Sequence, residues 1–137
     1  MTTRSRSHGE DGFIREVVWI AVILLVIAVV VLDGMAIFNA YQSAGDSAQA
    51  AATAALTEYV QSENVSAAKL AAQQRLATSG LQMVGFAVGQ DAAGSTLITV
   101  TAKDHANTYA FHYLSVIPQL KKWVARVTEP VRSGSAD

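Results

Sequence analysis

The stretch "KDHANTYAFHY" holds Asp104, His105 and His112 close together in the chain. Imidazole nitrogen and carboxylate oxygen are the donor types of a zinc site. His105 and His112 lie seven residues apart, two turns of helix, so one face could carry both if the helix began early. A zinc site needs a third or fourth protein donor. The chain offers only one other histidine, His8, and no cysteine. No metal is therefore expected, and His112 reads as a histidine of an aromatic cluster with Tyr109, Phe111 and Tyr113. The absence of cysteine also removes disulfides and a thiol nucleophile. Gly80, Gly85, Gly89 and Gly94 are not followed by the Lys-Ser/Thr of a phosphate-binding loop. No serine sits in a nucleophile elbow. Nothing points to catalysis or to a cofactor. A net charge of -1 gives no basic footprint for nucleic acid.

A second pair of groups is defined by position. Glu16 and Asp33 bracket sixteen uncharged residues, Val17 to Leu32. At about 1.5 Å per residue this run covers only about 24 Å, and a bilayer core of about 30 Å asks for nearer twenty residues. Extending the span through Phe38 supplies them. Asp33 then lies toward one interface, where it can reach water or headgroups, and Trp19 lies toward the other. Arg4, Arg6 and Arg15 precede the span, and no Lys or Arg follows it until Lys69. By the positive-inside rule the amino end is cytoplasmic and the remainder is exported. A cleaved export signal is the competing reading, but the run is longer than the usual h-region and no small-x-small site follows Leu32 closely.

These groups need a scaffold, and its first part is a long helix. Ala36, Ala40, Ala44, Ala48 and Ala52 recur every four residues, no proline occurs before Pro118, and alanine is the best helix former. The pattern predicts one helix from about Phe13 to Gln61, partly in lipid and partly outside it. A stripe of small side chains admits a second helix closely, and the expected partner is a neighbouring subunit as well as the chain's own domain. "SENVS" ends this helix, Ser66 can cap the next, and Gly80 can close it. The period then changes: "LQMVGFAVGQ" and "STLITVTAK" alternate about the turn "QDAAGS", the pattern of a β-hairpin. "NTYAFHYLSVI" predicts a short aromatic helix ending before Pro118. "KKWVARVTEPV" is ambiguous, since Val124, Val127 and Val131 fit no single period; helix stays open, and the Trp, Val and Thr content favours a third strand, while "RSGSAD" reads as a loose tail. The expected fold class is α+β: a long transmembrane helix extending into a domain in which a second helix packs on a small antiparallel sheet.

The segments "GEDGFIREVVWIAVILLVIAVVVLDG" and "NAYQSAGDSAQAAATAA", followed by a helix, the hairpin arm "STLITVTAK" and a closing segment, resemble the TadE/TadG-like proteins over roughly residues 9–130. The resemblance implies a pilin-like subunit of the bacterial tight-adherence pilus system. Asp33-Gly34 and Asp46-Ser47-Ala48 fill the places where that family carries an acid with small residues and an Asp-x-Ala. It further implies a leader cleavable between Gly12 and Phe13. Pilin-like leaders carry glutamate five residues after the cleaved glycine, whereas Glu16 is the fourth, so the expectation is an uncleaved anchor.

The expected organisation is a cytoplasmic leader over 1–12, a transmembrane helix over 13–38, an exported α+β domain over 39–130 and a flexible tail over 131–137. The expected location is the bacterial cytoplasmic membrane, crossed once, and the expected role is that of a structural subunit or assembly factor of a surface filament or envelope complex. The expected partners are the membrane, other pilin-like subunits or assembly proteins, and further copies of the chain as a homo-oligomer, without nucleic acid. A membrane-anchored binding module, whose sheet domain recognises a ligand or partner, is the alternative.

Overall fold

The computed structural model describes residues 10–137. The expected leader over 1–12 falls, through residue 9, outside the described residues. The order of elements is α1 (Glu10–Ser62), α2 (Val65–Thr78), β1 (Gln82–Gln90), β2 (Thr96–Lys103), α3 (Ala110–Leu114), α4 (Pro118–Thr128) and β3 (Val131–Ala136). The fold is α+β, with a long apolar N-terminal helix and one small antiparallel sheet.

α1 runs 53 residues without a break, about 80 Å at helical rise. Its two halves have different surroundings. From Gly12 to Leu32 every residue but Val29 is exposed, including Ile23, Leu25 and Leu32. This half is long and apolar enough to cross a membrane. The other half is the spine of the domain, where Ala44, Ala48, Ala51, Ala52 and Ala55 are fully buried. Glu63 takes a left-handed backbone (φ 51°) and ends the helix.

The cap of α2 is Asn64, not Ser66: its Oδ1 accepts from Ser66 N–H and Ala67 N–H at 2.9 and 3.3 Å. α2 closes in a Schellman motif at Gly80 (φ 73°), with Leu81 N–H bonded to Leu76 C=O and Gly80 N–H to Ala77 C=O. Leu76 and Leu81 both enter the core, the hydrophobic contact this motif favours. At the hairpin turn Asp91 Oδ1 accepts from Ala93 and Ser95 N–H, each at 2.8 Å.

The sheet order is β1-β2-β3, antiparallel throughout. β2 is central and turns Ile98, Val100 and Ala102 inward onto the alanines of α1 and α2. Two expectations for the C-terminal segment are corrected. Residues 118–128 form a helix, with Pro118 in its first turn, where a missing N–H is harmless. Leu120, Val124 and Val127 recur at helical spacing and face inward, Val124 most deeply; that periodicity outweighs β propensity. Residues 131–136 are not a loose tail but β3. Its inward positions are Gly134 and Ala136. Small residues at those positions hide the alternation that marks a strand, yet only small residues fit there.

Candidate functional site

Asp33 is the most unusual side chain in the molecule. It belongs to α1 and is completely buried. Oδ1 accepts from Tyr109 N–H at 2.6 Å, and Oδ2 from Ala110 and Phe111 N–H at 2.7 and 3.0 Å. These donors are the orphan N–H groups at the start of α3, which has no cap from its own chain segment. A residue 76 positions earlier thus caps this helix. The expectation that Asp33 reaches water or headgroups is overturned: its acceptors are consumed inside the protein. The domain's contacts on α1 therefore reach back to residue 33, although Met35 and Phe38 beyond it remain exposed.

The alanine stripe has a similar outcome. Ala40, Ala44, Ala48 and Ala52 are buried within the chain's own domain, and Ala36 is half-buried. Another subunit's helix cannot reach the buried four, because the domain already covers them. β3 crosses α1 at backbone contact: a Cβ at Gly134 would lie 2.3 Å from Gln49 N and 2.5 Å from the Ala48 carbonyl carbon. Gln49 then pairs its side-chain amide with the backbone of Ser135, accepting from its N–H at 3.1 Å and donating to its C=O at 2.7 Å. Arg132 lies 4.2 Å over the Tyr41 ring and donates to its hydroxyl. The stripe is the seat of the chain's own sheet.

Glu16 and Arg15 line a shallow exposed depression with Gly12, Trp19 and Ile20. Gly12 and Phe13, the candidate cleavage position, lie inside α1. A second depression of about 550 Å³ lies between the 105–109 segment, α3 and α4, lined by His105, Tyr109, His112, Lys121 and Glu129 among others. His105 and His112 thus share a groove, although α3 begins too late to hold both. Among the described residues no three His, Asp or Glu side chains are grouped to hold a metal.

The chain matches no known protein family, no curated protein and no solved structure.

At the mouth of the groove Lys103 Nζ lies 2.6 Å from Glu129 Oε2, and His105 Nδ1 lies 3.7 Å from Glu129 Oε1. The Lys103 hydrogen bond holds the Glu129 carboxyl below its ordinary value of 4.5; partial burial opposes this, and the charges of Lys103 and His105 add to it. This pair joins the end of β2 to the end of α4. A carboxyl whose pKa is lowered in the folded state contributes stability that is full above the ordinary value and lost as pH falls through the lowered one. Glu129→Gln should therefore flatten the acid limb of a plot of melting temperature against pH below about 4.5. Parallel acid limbs for variant and parent would mean the pair does not couple to folding.

Proposed function

We propose that the chain is a non-enzymatic, membrane-anchored, pilin-like subunit or assembly factor of a surface pilus or envelope complex, of the TadE/TadG-like kind. One observation carries this reading: a single helix presents bare side chains over Gly12–Leu32, apolar but for Arg15 and Glu16, and then, without a break, becomes the spine of a folded domain. A helix bare of its own domain for some twenty residues needs surroundings, and lipid or the same helix of neighbouring subunits provides them. The apolar half, rather than the alanine stripe, is the surface through which subunits would pack, since the stripe is occupied. The three arginines before the span support a cytoplasmic amino end and an external domain.

The test is a photo-crosslinking residue at Ile23, which is 53% exposed, with a tag at each terminus, in native cells. The expected result is a ladder of adducts between copies or to a defined subunit, together with a carboxyl-terminal tag that external protease removes from spheroplasts. Adducts to lipid alone would reduce the protein to a simple anchor. A protected carboxyl-terminal tag would reverse the topology.

The groove beside His105 and His112 supports the second reading, a membrane-anchored module that binds a ligand or partner. Saturable binding lost on His112→Ala, with no crosslinks between subunits at Ile23, would favour it.

A further inference from the structure

Residues 105–128 contain no Asp or Glu but include Lys121, Lys122 and Arg126. The same stretch holds four of the chain's ten aromatic residues, Tyr109, Phe111, Tyr113 and Trp123. Several of its apolar and aromatic side chains face outward: Val116 is 77% exposed, Tyr113 75% and Trp123 49%. Trp123 stacks obliquely on Phe111, with ring centroids 5.7 Å apart. Such a surface is poorly suited to open water.

Its location gives it a purpose. Asp33 grips the first turn of α3 by three hydrogen bonds. Asp33 immediately follows the run Val17–Leu32, and the exposed apolar side chains Met35 and Phe38 continue the span's surface just beyond it. α3 and α4 both touch α1 as well. The aromatic face is thus fastened beside the outer end of the span, at the depth where Trp and Tyr favour the boundary between hydrocarbon and headgroups. The cations on α4, with no acid between residues 105 and 128, complement anionic headgroups.

We infer that α3 and α4 form an interfacial foot, seated on the outer face of the anionic membrane that α1 crosses and locked to the span by Asp33. This rests on the anchoring reading above. The foot fixes the tilt and height of the domain over the bilayer, which a single helix alone would leave free to rotate.

The experiment uses the full chain in phosphatidylcholine/phosphatidylglycerol vesicles, with and without brominated acyl chains. Trp19 and Trp123 are the chain's two tryptophans, so Trp19→Phe reports on Trp123 alone and Trp123→Phe on Trp19 alone. The expected result is that both emissions are lost to bromine, Trp123 most to bromines placed near the headgroups, and that iodide in the water quenches neither strongly. Lys121→Gln with Lys122→Gln should reduce the Trp123 loss while sparing Trp19. Quenching of Trp19 but not Trp123, with Trp123 open to iodide, would overturn the foot and leave the anchor standing. Trp123 shielded from both quenchers, increasingly so at high protein-to-lipid ratio, would overturn it in favour of a second copy covering the face. No bromine quenching of Trp19 would overturn the anchor and the foot together.

Discussion

Gly134→Ala is expected to destabilise the domain by about 3 kcal/mol, and Gly134→Val to prevent its folding. The added methyl would meet backbone, not a movable side-chain tip: Gln49 N at 2.3 Å and Ala48 C at 2.5 Å. Neither atom can retreat without bending α1. β3 would have to lift away, losing the Gln49 amide pairing with Ser135 and exposing Ala136 and the inward face of β2. Gly134 has no left-handed backbone angle to explain it, so close approach is the whole reason for glycine there. Denaturant unfolding in mild detergent measures the effect. A midpoint unchanged from the parent would mean that β3 does not cross α1 at contact distance.

Asp33→Ala should come next in size, at roughly 2–4 kcal/mol. The substitution leaves three N–H groups at the start of α3 without their acceptor. These bonds are part-buried, and donors stripped of partners away from water cost more than the bonds themselves contribute. Asp33→Asn should recover only part of the loss, because its amide offers one acceptor oxygen and turns a donor toward another N–H. The distinctive readout is local. Hydrogen exchange at Tyr109, Ala110 and Phe111 should accelerate sharply in Asp33→Ala, while Val100 in β2 keeps its protection up to the global limit. Unchanged exchange at those three amides would rule out the cap. A fragment that begins after Asp33 carries the same defect, so a soluble form of the domain should start upstream of it.

Sequence and structure agree most where the signal is local. The bare apolar run Val17–Leu32, the alanine period that follows, the Gly80 closure and the two hairpin arms are all encoded in neighbouring residues. Helix period, strand alternation and turn chemistry act within a few positions, and a reader of the chain sees what the backbone responds to.

Two disagreements are local, the helix at 118–128 and Asn64 as the cap of α2; the larger ones come from contacts between distant parts. Asp33 in isolation is an acid at a membrane edge; only folding brings the amides of residues 109–111 to it. The alanine stripe in isolation invites another helix; only folding shows that the chain's own sheet takes the place. β3 in isolation is a polar tail, because Gly134 and Ala136 carry too little side chain to register as an inward face. A small residue reveals how close a partner comes, but not which partner it is. The sequence by itself determined the elements of the long helix, the second helix and the hairpin, since their forces are short-ranged. The tertiary structure alone decided what occupies the stripe, what Asp33 holds, and where the aromatic face of α3 and α4 sits, because each depends on groups far apart in the chain that meet only in the folded molecule.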